Sequence, residues 1–245
     1  MVQSFNQLII HNNQPIMNAK VLLYLAFREL EKASKGTLSG TKIESIADVI
    51  NRFAIFSAVA AVVNTIPGVG GVIAMLTQTG LVWGTYIKIN ETLGISMKEN
   101  VAKFIGSAML TNISTNALSY AAAYIGASIL SWLPGANLLM TVFIAAMGYA
   151  LIYVSALLYL KLLTEVMKAK GSFDLNESDE TKDLINKVVS NTDVKSVIKE
   201  ARNVFDEVKE SGEFDAALNN KKCPYCGEAV KPGQKFCSVY GKPLG

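Results

Sequence analysis

The stretch that decides the fold is "FAIFSAVAAVVNTIPGVGGVIAMLTQTGLVWGTYI", residues 53–87, which contains no Asp, Glu, Lys or Arg. The motif "TIPGVGG" interrupts it near its middle. Proline cannot donate a backbone hydrogen bond and disfavours helix in the residue before it, whereas glycine permits the chain to reverse. We therefore predict helix, turn, helix, with Pro67 and Gly68 at the tip of an apolar hairpin.

A second uncharged stretch, residues 104–160, is interrupted by "WLPGAN" and predicts a second hairpin with its tip at Pro134 and Gly135. Charged residues lie before the first stretch, in the connector 88–103 and after residue 160. This distribution predicts that the open ends of both hairpins face the same side. The tips are then uncharged.

The two hairpins look like copies of one unit. A shift of 67 residues places each Pro-Gly turn on the other and Tyr86 on Tyr153, as in a duplicated helical hairpin. The alternative is a coincidence of two Pro-Gly turns, each followed by an apolar helix. "TKIE" at 41–44 and "SMKE" at 96–99 are capping boxes, and we expect each to open the first helix of a hairpin.

Small residues in these helices predict close helix packing. Gly80 and Gly84 form a G-x-x-x-G pair, and Ala146 and Ala150 repeat the spacing, which lets two backbones approach each other. Such spacing serves a buried bundle as well as a membrane bundle. The tyrosines of the same helices are either interfacial anchors or core residues.

The uncharged stretches do not predict a simple four-span membrane protein. A helix needs about 20 mostly apolar residues to cross the hydrocarbon layer. Residues 53–66 are too few, residues 70–87 are marginal, and "LTNISTNALSY" at 110–120 is polar. We expect a compact bundle that is partly inserted, inserts conditionally or has a very apolar core, and we favour membrane association.

Amphipathic segments flank the apolar body. Residues 16–34 mix apolar and charged side chains, and a helical stripe in the charged tail predicts one partner surface. That partner is either the protein's own bundle or another chain. Residues 171–180 and 211–222 are predicted to be solvated linkers. The stripe consists of Val194, Val197, Ile198, Ala201, Val204, Phe205 and Val208.

The C-terminal "CPYCGEAVKPGQKFCSVYG", residues 223–241, has the spacing of two zinc-binding knuckles. Cys223, Cys226 and Cys237 are candidate zinc ligands, but Tyr240 stands where a fourth cysteine belongs. Structural zinc sites take four tetrahedral ligands, and a phenol that titrates near pH 10 is a poor one. The sequence therefore predicts a zinc site for which the ribbon supplies three of the four ligands.

Several classes of function are not indicated. His11 is the only histidine, so a Ser-His or Cys-His nucleophile pair has no obvious base. No G-K-[ST] follows "PGVGG", and the uncharged stretches hold no carboxylate for acid–base work. We expect no enzyme activity and no small-molecule substrate. The dispersed net charge of +3 does not predict nucleic-acid binding.

The body from about residue 50 to 165 resembles a family of bacterial helical domains found alone or behind Era-like GTPase domains. The resemblance rests on "IPGVGGVIAMLTQTGLVWGTYIKINETLGIS" and "LPGANLLMTVFIAAMGYALIYVSALLYLKLL". The I-P-G hairpin also looks like that of EcsC-type proteins. This resemblance implies a membrane-associated module with a GTPase as partner. The tail is similar to short zinc ribbons of the form "CPxCG" then "FCxxCG".

We predict an all-α protein: a bundle of two apolar hairpins with flanking amphipathic helices and a small C-terminal zinc-ribbon knuckle. Its parts are 1–50, amphipathic; 51–165, the hairpin body; 166–220, the charged tail; and 221–245, the ribbon. The first ten residues lack a secretory signal pattern, so we expect the cytoplasm or the cytoplasmic face of the membrane. The leading hypothesis is a membrane-binding or interaction module. A soluble homo-oligomeric scaffold is the alternative, and a pore-forming effector is the third.

Overall fold

The computed structural model describes residues 19–35, 42–63, 70–128 and 136–219. Within these ranges the chain forms eight α-helices and no strand, which confirms the all-α prediction there. The predicted tips at Pro67-Gly68 and Pro134-Gly135, and the predicted ribbon, lie outside the described residues. The helices are α1 (Ala19–Ala33), α2 (Lys42–Val63), α3 (Gly70–Leu93), α4 (Glu99–Ser128), α5 (Ala136–Lys170), α6 (Asp179–Ser190), α7 (Val194–Glu210) and α8 (Glu213–Asn219).

The helices pair as the two hairpins predict, with α2 against α3 and α4 against α5. Asn90, near the end of α3, bonds to Tyr159, which lies two residues before the first charged residue of α5. Trp83 of α3 lies beneath the ammonium of Lys103, in the first turns of α4. The charged ends of α3, α4 and α5 are therefore on the same side, as expected.

Helix α5 is the centre of the bundle. It packs against α1, α2, α3, α4, α6 and α7, and residues 152–160 are all buried. A helix that is apolar around its whole circumference has to be surrounded on every side, either by protein or by lipid. The second half of α5 is surrounded by other helices of the protein. The two arms of the α4–α5 hairpin are therefore not equivalent: α5 is the core helix, and α4 packs against it.

The flanking helices cover this core. Helix α1 lies within the predicted segment 16–34 and buries Leu23, Phe27 and Leu30. All seven residues of the tail stripe are buried in α7, and α7 packs on α5. The alternative in which the stripe packs on the protein's own bundle is confirmed.

Two predicted linkers contain helix. Residues 213–219 form α8, so the linker prediction for 211–222 is wrong there. Its Phe214 is buried edge-on against Phe205, with 5.3 Å between ring centroids, and Leu218, one turn later, is half-buried against the core. The linker at 171–180 ends at Ser178, whose side chain accepts a hydrogen bond from Thr181 N and so caps α6.

The capping-box prediction at "SMKE" is also wrong. Helix α4 begins at Glu99, and its first backbone hydrogen bond runs from Ala102 N to Lys98 O at 3.2 Å. The connector before it is held by its own core contact, because the Met97 sulfur lies 3.3 Å from Asn90 Nδ2.

Candidate functional site

The candidate site is the uncharged half of the bundle, which adjoins the predicted turns. Its side chains are described at residues 53–62 of α2, 78–87 of α3, 104–113 of α4 and 141–151 of α5. None of these residues carries a charge. They are brought together by direct contacts between α2, α3 and α5 and between α3 and α4. We call this region the uncharged half throughout.

Burial decreases toward the turns. On α2, the four consecutive residues 59–62 are only half-buried. On α5, Val142, Ile144 and Met147 are half-buried, whereas residues 152–160 are fully buried. The uncharged half therefore keeps apolar side chains in partial contact with its surroundings on more than one helix.

Two described helical segments, Ile43–Val62 and Thr141–Lys170, are long and apolar enough to cross a membrane. The core helix of a soluble protein meets the same criterion. In the most apolar part of α5, 72% of the residues are buried within the protein, against 44% in α2. The composition of α5 is thus largely accounted for by internal packing, while α2 retains apolar surface that the bundle does not use.

A buried polar junction joins α2, α3 and α5 inside the uncharged half. The Ser57 hydroxyl lies 2.5 Å from the Gly148 carbonyl oxygen and within hydrogen-bond distance of Gln78 Oε1. Gln78 Nε2 donates back to the Ser57 carbonyl oxygen at 3.1 Å. The Ser57 hydroxyl has one hydrogen to donate and so serves one of these two oxygens at a time, while Gln78 keeps its own bond to the Ser57 backbone. The junction therefore ties the three helices together at one point.

Gly148 marks the closest approach of α2 and α5. A Cβ atom at this position would lie 2.7 Å from the Ser57 carbonyl oxygen and 2.9 Å from the Ala61 Cβ. Only glycine fits against a neighbouring backbone at such a distance. In the sequence this glycine stands between the predicted packing residues Ala146 and Ala150, in "AAMGYA" at 145–150.

The structure gives the burial of the four predicted packing residues, while their role in close helix packing stays a prediction. Ala146 and Ala150 are buried beside Gly148 on α5. Gly84 is buried and Gly80 half-buried on α3. A second close contact, which the sequence reading missed, is Gly106 of α4 against the Trp83 ring of α3, where a Cβ atom would overlap the indole.

Next to the uncharged half lies a buried aromatic network. The rings of Tyr86 and Tyr159 stack with 4.1 Å between centroids. The Tyr159 hydroxyl donates to Asn90 Oδ1 at 2.7 Å, and the Tyr86 hydroxyl donates to the Ser155 carbonyl at 3.3 Å. Burial raises the pKa of Tyr159, so its hydroxyl stays protonated and keeps donating. The tyrosines here are core residues and not interfacial anchors.

The tail helices fasten the boundary between the two halves. The Tyr149 hydroxyl donates to Asn51 Oδ1 at 2.8 Å, and Asn51 Nδ2 donates to Glu213 Oε2 at 3.3 Å. The Arg202 guanidinium lies 5.5 Å from the centroid of Phe143. Helices α7 and α8 therefore cover α2 and α5 just where the apolar surface begins to open.

No group of three His, Cys, Asp or Glu side chains that could hold a metal ion occurs among the residues described with coordinates. The predicted zinc ligands Cys223, Cys226 and Cys237 lie outside them. The zinc prediction therefore stays a prediction.

Comparison with protein-family models, with curated proteins and with solved structures gives no match. The resemblances to the GTPase-associated helical domains and to zinc ribbons stay predictions from the sequence.

Proposed function

We propose that this protein is a non-enzymatic, membrane-associated helical module. Its uncharged half enters the apolar layer of a bilayer from the cytoplasmic face. The rest of the described bundle, which includes α1, α6, α7 and α8 and which we call the charged half, stays in water. The observation that carries the proposal is the half-buried apolar surface at the uncharged end, above all residues 59–62 of α2.

The charge pattern supports this orientation. A charged side chain costs roughly 2.5–3.5 kcal/mol at the centre of a bilayer on insertion scales, and the uncharged half contains none. In the described helices the backbone hydrogen bonds are satisfied internally, which a lipid environment requires.

The length of α2 favours shallow insertion of the first hairpin. Residues 53–63 of α2 rise about 16 Å at 1.5 Å per residue, which is roughly half of a 30 Å hydrocarbon core. This shorter arm limits the α2–α3 hairpin to about one leaflet, so that the hairpin returns to the side it entered from.

Val59→Asp is expected to lower the partition coefficient onto phospholipid vesicles about tenfold or more, because it places a carboxylate on the surface that enters lipid. Flotation of the purified protein with vesicles measures this directly. The matched control is Val21→Asp on α1, where Val21 is 37% exposed and outside the uncharged half. Helix content by circular dichroism verifies that both variants are folded.

Equal vesicle binding by Val59→Asp and the parent protein would contradict insertion through α2.

The second candidate function, a soluble homo-oligomeric scaffold, is favoured by the same half-buried surface if a second copy covers it. In that case the parent protein sediments as an oligomer without lipid and Val59→Asp dissociates it. The third candidate, a pore former, additionally requires dye release from vesicles.

The proposed partners are membrane lipid and a protein, either a second copy or a GTPase. The GTPase rests on the sequence resemblance alone. A pull-down separates the two partners. If a tagged copy is retained by an immobilised second copy of the protein, and not by any nucleotide-loaded GTPase encoded beside it, the protein partner is a second copy.

For the ribbon we propose a zinc site with three thiolates of its own, Cys223, Cys226 and Cys237. Tyr240→Cys supplies a fourth thiolate, so the variant is expected to retain about one zinc per chain after gel filtration against a weak chelator, and the parent less. Metal analysis of both proteins measures this. Equal and full zinc in both would show that the missing cysteine does not matter.

A further inference from the structure

A solvent-open cleft of about 260 Å³ lies between α1, α5 and the turn from α6 to α7, in the charged half of the bundle. It shares no lining residue with the uncharged half. Among its lining residues are Glu29, Lys161, Glu165, Lys187, Asn191 and Thr192. The cleft therefore mixes two ammonium groups with two carboxylates, and their pairing decides what it can bind.

Lys161 is held in place at the cleft without an ion pair. Its Nζ donates to Thr192 Oγ1 at 3.0 Å, and that hydroxyl donates in turn to the Val188 carbonyl at 2.8 Å. Among the described residues, no carboxylate lies within 4.0 Å of Nζ. Desolvation by burial lowers the pKa of Lys161, and the field of Glu29 only partly offsets this.

The carboxylate of Glu165 is already neutralised. It accepts hydrogen bonds from Lys187 Nζ at 2.7 Å and from Lys168 Nζ at 3.1 Å. The hydrogen bond from Lys187 is the main reason that the pKa of Glu165 is lowered. Because Glu165 is bound to Lys187 and Lys168, the ammonium group of the cleft with no carboxylate bonded to it is Lys161, on which Glu29 acts only through its field.

We propose that this cleft binds a phosphate or carboxylate group of a small soluble molecule, with Lys161 as its direct contact. An ammonium has three N–H donors, and Thr192 takes one, which leaves two for an oxyanion. Partial desolvation makes such a pair stronger than one at an exposed lysine. The side-chain amide of Asn191 supplies a further donor at the rim.

The ligand is soluble rather than a lipid headgroup because of where the cleft lies. On α5 the uncharged half ends at residue 151, ten residues before Lys161, which is about 15 Å along a helix. A bilayer entered by the uncharged half would not reach the cleft. Binding here is independent of the proposed membrane association.

Equilibrium dialysis of the full chain against inorganic phosphate and, separately, against acetate tests the proposal, with chloride setting a constant ionic strength. The parent protein is expected to show saturable binding of at least one of the two. Lys161→Met is expected to raise the dissociation constant tenfold or more. The matched control, Lys195→Met, removes an exposed lysine of α7 and is expected to leave binding unchanged.

Lys161→Met is expected to fold, because methionine keeps the aliphatic stem and removes a partly desolvated charge; its melting temperature without ligand checks this. Absence of saturable binding of both anions by the parent overturns the proposal. So does equal binding by Lys161→Met. A third outcome is that the parent binds phosphatidylglycerol vesicles but no free anion, and that Lys161→Met loses the vesicle binding. This result would assign the site to a lipid headgroup and overturn the proposal of a soluble ligand.

Discussion

Gly148→Val is expected to lower the free energy of unfolding by about 3 kcal/mol, at the upper end of the usual cost of overpacking. A Cβ atom would lie 2.7 Å from the Ser57 carbonyl oxygen, which belongs to the α2 backbone and cannot rotate away. Helix α2 has to move off α5, and the hydrogen bond between the Ser57 hydroxyl and the Gly148 carbonyl is strained as well. Urea unfolding followed by circular dichroism measures the change.

The control for Gly148 is Gly106, the other glycine at a close helix contact. A Cβ atom at Gly106 meets the Trp83 ring, which is a side chain and only half-buried. Because the indole can shift, and because alanine gains about 1 kcal/mol of helix propensity over glycine, Gly106→Ala is expected to change stability by less than about 1 kcal/mol. Gly148→Ala should be clearly worse than Gly106→Ala, and equal costs would contradict a backbone contact.

Tyr159→Ala is expected to lower the free energy of unfolding by about 4 kcal/mol, as for other large-to-small changes of a buried aromatic residue. Tyr159 is fully buried and stacks on Tyr86, so its loss leaves a cavity between α3 and α5. Its hydroxyl also satisfies Asn90 Oδ1. Urea unfolding of the purified variant gives the value.

Tyr159→Phe separates the two contributions, because it keeps the ring and removes only the hydroxyl. The expected loss is about 1–2 kcal/mol, the cost of leaving the buried Asn90 acceptor unpaired. In a double-mutant cycle with Asn90→Ala the two losses should be less than additive. Additive losses would show that the hydrogen bond does not contribute to stability.

Most of the helices in this protein could be predicted from local sequence. The charge-free stretches with central Pro-Gly turns predicted α2 to α5, and the stripe from Val194 to Val208 predicted α7. The helices that were missed are short and polar. Helix α6 had a recognisable signal, a Ser178 cap followed by Asp179 and Glu180, whereas α8 spans only seven residues with two large apolar side chains, Phe214 and Leu218, too short a stretch for a periodic pattern.

The candidate site was predicted in part. Gly84, Ala146 and Ala150 are buried and Gly80 is half-buried, while their role in close helix packing stays a prediction. The junction of Ser57, Gln78 and Gly148 was not predicted, because a serine, a glutamine and a glycine on three helices show no common pattern along the chain. Likewise, Lys161 and Thr192 are 31 residues apart, and only the turn from α6 to α7 brings them together.

By itself the sequence determined the secondary structure and the segregation of charge, since backbone hydrogen-bonding preference and side-chain polarity act locally along the chain. Tertiary structure alone decided that α5 is the core helix, that α2 keeps unused apolar surface, and that Gly148 is where the helices meet. Those properties depend on which faces are covered and how closely backbones approach. Both are set by packing between residues far apart in sequence, where the fit of side-chain volumes outweighs any local preference.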